Sequence, residues 1–158
     1  MGIVLARIDQ RLVHGIVVTQ WVNSVKAKRI MVIDDEVEKD ENRKSAMRLS
    51  KPAETGMSLI GKEKAIANFK EGKYDNHNVL LVVNNVEILL ELVKNNIEIP
   101  KVNIGIMLDQ ENRKKYAKNF AASDEELKQL KELEDFGIPV SYQFTPRDKE
   151  EKLEKFLK

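Results

Sequence analysis

The sequence predicts an α/β fold: a doubly wound, mainly parallel β-sheet flanked by helices in a single domain. Short apolar runs alternate with helix-spaced amphipathic stretches along the whole chain, the pattern of strands that return through crossover helices. One run, residues 79–83, is continuously β-branched or leucine, as in a strand covered on both faces. The length of 158 residues suits one domain of two or three layers and leaves no room for a second.

Residues 3–7 form the first expected strand, and after polar punctuation a helix spans about 15–24. Residues 29–33 are a second strand ending at Asp34-Asp35-Glu36, followed by a helix over 38–49 with apolar positions at Ala46 and Leu49. The segment 52–56 breaks the pattern before a strand at 57–60, and the helix over 62–69 carries Ala65, Ile66 and Phe69 on one face. The strand at 79–83 leads to a helix over 86–93. Beyond Pro100, residues 102–104 suit a strand, while 105–118 show no clear period and are expected as loop or short turn. Ser123 and Glu126 have the spacing of a capping box, and Leu127, Leu130, Leu133 and Phe136 recur at helical intervals until Gly137 ends the helix. Residues 140–144 are the last expected strand, and Thr145-Pro146 with Asp148 opens a charged terminal helix to Leu157.

Composition excludes several classes of function. Lys and Arg total 27 against 26 Asp and Glu, without the basic excess of a nucleic-acid binder. The absence of cysteine removes disulfides and thiolate metal sites and suits a reducing cytosol. No apolar stretch approaches the roughly 18–20 residues of a membrane helix, and Arg7 and Asp9 interrupt the N-terminal run, so a soluble, unexported chain is expected.

Ligand sites in such sheets collect where the chain leaves the carboxyl ends of strands. The first of these segments, Arg7-Ile8-Asp9-Gln10-Arg11-Leu12-Val13-His14-Gly15, gathers two arginines, a carboxylate and one of only two histidines. A neutral imidazole nitrogen of His14 can attack phosphorus while Arg11 neutralises the equatorial oxygens and helix-start N–H groups bind the remaining charge. Gly15 removes a side chain beside the nucleophile and leaves room for a bulky donor. The same residues also suit a helix-capping histidine beside an ordinary Arg-Asp pair.

Other segments carry less. Gly56-Met57-Ser58-Leu59-Ile60-Gly61-Lys62 has P-loop spacing, but Glu63 stands where that motif needs Ser or Thr, and its loop coincides with an expected strand. Asp34-Asp35-Glu36 invites comparison with the magnesium-binding acids of a response-regulator receiver, yet the acids follow the wrong strand and residues 79–83 lead into Asn84-Asn85 instead of an acceptor aspartate. A solvated acidic loop is the expectation there. His77 lies in a polar turn and is expected at the surface, while Trp21 and Phe69 are expected in the core.

The segment from Arg7 to Trp21, RIDQRLVHGIVVTQW, closely resembles the active-site segment of IIB subunits of the mannose/fructose/sorbose-class sugar phosphotransferase system. The resemblance extends through residues 29–37, Lys51-Pro52, Val102-Asn103-Ile104-Gly105, Gly137-Ile138 and Pro146, so residues 1–158 are expected to form one EIIB domain. It implies a protein-Nπ-phosphohistidine–sugar phosphotransferase component in which His14 is the phosphohistidine intermediate. Asp9 and Arg11 align with the family's catalytic loop, and Arg7 and Gly15 are expected to bind phosphate. The implied partners are a IIA donor protein, the IIC and IID membrane subunits and the sugar they hold, with no nucleic acid, cofactor or metal. The implied location is cytoplasmic, peripheral to the membrane permease. A homo-oligomer stays open, as does a regulatory phospho-acceptor module on the same fold. The chain departs from the family pattern at Ile16, where Gln is common, and at Ile106, where a second Gly usually follows Gly105.

Overall fold

The apolar runs form strands because their β-branched side chains suit a pleated surface covered on both sides. The computed structural model describes residues 2–157, with the side chains of Ile16 and Val17 outside that description. The chain runs β1 (Gly2–Asp9), α1 (Gly15–Val25), β2 (Arg29–Ile33), α2 (Asp35–Glu38), α3 (Glu41–Ser50), β3 (Gly56–Ile60), α4 (Lys62–Lys70), β4 (Asn78–Val83) and α5 (Val86–Lys94). It continues through β5 (Val102–Ile106), β6 (Lys114–Ala117), β7 (Phe120–Ala122), α6 (Asp124–Asp135), β8 (Val140–Tyr142) and β9 (Glu151–Lys152) to a final 3-10 turn at Leu153–Phe156. Seven strands form one sheet in the order β3-β2-β4-β1-β5-β8-β9, parallel except for the β8–β9 pair. The expected doubly wound, mainly parallel sheet is therefore the architecture found.

Two apolar layers cover the sheet. Val18, Trp21 and Val22 of α1 pack with Val37 and Met47 against Leu5, Ile30, Val32, Leu80 and Val82. On the other face Ala65, Leu89, Leu92, Leu130 and Leu133, from α4, α5 and α6, pack against Ala6, Ile8, Met31, Leu81 and Ile104. The helix following β1 thus lies on one face, while those following its neighbours β4 and β5 lie on the other. The carboxyl end of β1 is a topological switch point, where doubly wound sheets open a crevice for chemistry.

Three expectations change. Residues 105–118 are not simply loop: β5 runs on to Ile106, and β6 pairs with β7 as a separate antiparallel hairpin. The half-exposed β6 is only four residues long, too short to show a period. The helix expected over 38–49 is two helices, because the Asp40 side chain accepts the Arg43 N–H and starts a new one. Met47 is its buried residue, while Leu49 stands 88 % exposed. The terminal helix is absent: the Thr145 N–H and hydroxyl bond Asp148 to close a turn, and β9 then pairs antiparallel with β8 and covers that edge. Leu153 is buried, and the Phe156 ring meets those of Phe120 and Tyr142 at 5.3 and 5.9 Å.

Candidate functional site

β1 sends alternate side chains to opposite faces, so Ile8 enters one core layer while Arg7 and Asp9 turn towards α1. Both charged residues have no exposed surface. Arg7 Nε donates to Asp9 Oδ2 at 3.2 Å, and Nη1 donates to Asn103 Oδ1 at 2.7 Å. The guanidinium lies 5.5 Å from the Trp21 ring centroid and 5.9 Å from that of Phe144. Burial lowers the Arg7 pKa, opposed by the Asp9 charge and hydrogen bond, and the group stays cationic. Removing either partner would leave a buried unpaired charge, at a cost of about 3–5 kcal/mol.

Asp9 organises the loop above it. Its Oδ1 accepts the Arg11 N–H at 2.9 Å, its carbonyl accepts the Leu12 N–H at 2.9 Å, and its Oδ2 accepts from His14 Nε2 at 3.0 Å. The turn places Leu12 at φ 58, a left-handed conformation unusual for leucine, held by complete burial of its side chain. His14 is the extended N-cap of α1, its side chain 28 % exposed. A carboxylate only accepts, so a neutral His14 carries its proton on Nε2 and keeps the Nδ1 lone pair free. The side chains of Asp34, Asp40, Asn85 and Ser123 take first-turn N–H groups of α2, α3, α5 and α6, whereas His14 takes none at α1. Those leading N–H groups are thus left for an anion. Arg11 is exposed at the same turn. Gly15 has φ +47, and a Cβ there would meet nothing within 4 Å, so the glycine serves an open approach and a left-handed backbone.

The structure brings Asp9, Arg11, His14 and Gly15 together at one strand end. Arg7, expected as a phosphate contact, lies beneath the loop. With its side chain walled in by Asp9, Asn103, Trp21 and Phe144, it meets the candidate site, among the described residues, through Asp9. The Ile16 departure falls on a side chain outside the described residues. Ile106 is buried at the end of β5, and its carbonyl accepts the Gln10 N–H at 3.0 Å.

Sequence reasoning missed Gln10 and Arg113. Gln10 Oε1 accepts from the Leu108 N–H and from Arg113, which also grips both oxygens of Glu126 at 2.8 and 2.6 Å. Burial alone would raise the Glu126 pKa, but the bonds from Arg113 and the Ser123 N–H hold it below the ordinary value. The site loop is in this way tied to the start of α6.

The competing sites are structural. Asp34 Oδ1 caps α2 and its Oδ2 accepts from Asn84, Asp35 accepts the Lys62 N–H, and Glu38 accepts the Gly61 N–H. Gly61 of the apparent P-loop is the N-cap of α4, preceded by a strand and not by a free loop. His77 is half-buried near Arg29, beside the amino end of β4. Trp21 is buried as expected, with its indole N–H donating to the Phe144 carbonyl.

Comparisons with known proteins show the family. The chain is 31% identical over 148 residues to the sorbose-specific EIIB component of Lacticaseibacillus casei, covering 94% of this chain and 90% of the relative. It is 28% identical over 158 residues to the fructose-specific EIIB component of Bacillus subtilis, covering 100% and 97%. The crystal structure of the IIBSor domain of the Klebsiella pneumoniae sorbose permease superimposes with a TM-score of 0.94 at 28% identity, covering 99% of this chain and 96% of that one. The family model for the sorbose-subfamily IIB component of the PTS matches residues 3–158. With that match and these relatives, the chain belongs to the sorbose-class IIB components of the sugar phosphotransferase system, a family of phosphotransferase subunits.

Proposed function

We propose that His14 Nδ1 accepts a phosphoryl group from a phosphohistidine of a IIA partner and passes it to a sugar held by IIC and IID membrane subunits. The observation that carries this reading is the 3.0 Å bond from His14 Nε2 to the buried Asp9 carboxylate, which presents Nδ1 as the nucleophile. In the first step the donor's P–N bond breaks, its electron pair returns to the donor imidazole, and a P–N bond forms to Nδ1. In the second that bond breaks with its electron pair returning to His14 Nδ1, a sugar hydroxyl oxygen bonds phosphorus, and the hydroxyl proton passes to water. Arg11 and the α1 N–H groups stabilise charge on the transferring oxygens, Gly15 leaves the approach open, and Arg7 holds Asp9. An A–B pairing is supported by the Escherichia coli mannose-specific EIIAB component, which is 30% identical over 140 residues; this chain spans 43% of its length. Work at the cytoplasmic face, peripheral to a permease, fits described residues in which no helix is long and apolar enough to cross a membrane.

The chemical stability of the bond tests the assignment. Labelled by a pre-phosphorylated, nucleotide-free donor, the protein is expected to lose its label in acid, since protonated imidazole is a good leaving group. The label should survive alkali and chelator. A label that is lost in alkali and abolished by EDTA would move the acceptor to Asp34 or Asp35 and overturn the reading.

A second expectation concerns the approach to His14. Gly15→Leu is expected to keep the circular dichroism of the fold, at about 1–2 kcal/mol of backbone strain, while slowing transfer from the donor. Unchanged transfer by that variant would mean that the donor arrives from another side.

A further inference from the structure

We propose that Asn103 and Gly105, both on β5, form a seat for the Arg7 guanidinium and thereby act as positioning residues for His14. The inference deepens the phosphoryl-acceptor reading and rests on it for its kinetic consequence. Parallel pairing sets Arg7 directly beside Asn103. Asn103 is 1% exposed, and its amide nitrogen donates to the Gln143 carbonyl at 2.9 Å, which fixes its oxygen towards Arg7. Gly105 lies where the β1–β5 register slips, between the Ile8–Ile104 and Asp9–Ile106 pairs. A Cβ there would overlap the guanidinium carbon and both terminal nitrogens of Arg7. With the rings of Trp21 and Phe144 also against it, the guanidinium has one orientation, with Nε towards Asp9.

That orientation has a consequence for His14. Arginine and carboxylate groups favour two-point pairing, yet Asp9 gives Arg7 only one oxygen. The same Oδ2 also accepts from His14, and Oδ1 is held by the Arg11 N–H. Arg7 Nη2 has no hydrogen-bond partner among the described residues. Once released from the seat, the guanidinium would turn Nη2 onto the carboxylate, close the two-point pair and draw Asp9 away from His14 Nε2. The seat therefore keeps Asp9 available to hold the imidazole with Nδ1 outward.

Two variants test this. Gly105→Ala removes no polar partner but would place its Cβ on the Arg7 guanidinium, so in the folded variant the guanidinium must leave its seat. Asn103→Ala removes the nearer of the two acceptors of Nη1, leaving the Gln143 carbonyl at 3.4 Å. Each would be followed by 15N-edited NMR of the His14 Nε2–H proton, at a pH where the imidazole is neutral, and by the rate of transfer from a phosphorylated IIA donor. Both variants are expected to lose the protected Nε2–H resonance and to transfer up to about 10²-fold more slowly, with the KM for the donor little changed. Either variant, folded and retaining both the resonance and the wild-type rate, overturns the proposal. If Asn103→Ala does not fold, Gly105→Ala decides alone. If the wild-type protein takes no label at His14, the acceptor reading falls while the resonance still tests the seat.

Discussion

His14→Ala is expected to abolish labelling by a phosphorylated IIA donor, a complete loss, while His77→Ala leaves it intact. The two histidines sit at opposite ends of the sheet. His14 caps α1 beyond the carboxyl end of β1, whereas His77 precedes β4, with its carbonyl accepting the N–H of Gly2 at the start of β1. Among the described residues, His14 alone has one ring nitrogen held by a buried carboxylate and the other without a partner. The substitution is mild for the fold, because His14 makes no side-chain cap bond and Asp9 keeps Arg7 and the Arg11 N–H as partners. Quantifying phosphorylated protein by gel shift or isotope checks the outcome. Label that survives loss of His14 would sink the proposed function.

Arg11→Ala should slow transfer by roughly 10²–10³-fold, the range for removing one preorganised donor from a developing negative charge. The backbone N–H of residue 11 bonds Asp9 Oδ1, and alanine keeps it, so the turn survives and only the guanidinium is lost. Because the side chain is exposed, stability should be nearly unchanged. Single-turnover transfer at saturating donor isolates the chemical step from docking. A rate within about twofold of wild type would reduce Arg11 to a docking contact.

How far the sequence could be read depended on whether a signal was local. The alternation of strands and helices follows from side-chain spacing within each element, and the buried β4 run and the Ser123–Glu126 capping box appear in the structure as expected. The expected terminal helix does not form, because Thr145, Pro146 and Asp148 suit a turn as well as a helix start. What decides between them is the exposed edge of β8, which residues 151 and 152 cover by pairing. Nothing within the C-terminal segment indicates that edge.

The sequence by itself determined the contiguous part of the candidate site: Asp9, Arg11, His14 and Gly15 lie within seven residues, between a strand and a helix whose patterns are plain. Tertiary structure alone decided what lies beneath them. The direction in which Arg7 points depends on the pleat of β1, and its partner depends on the register that brings in Asn103 from 96 residues away. Gln10 likewise meets Arg113 across 103 residues. Such pairings arise from sheet order and loop closure, which a one-dimensional pattern does not encode, and a buried arginine in sequence looks the same as an exposed one.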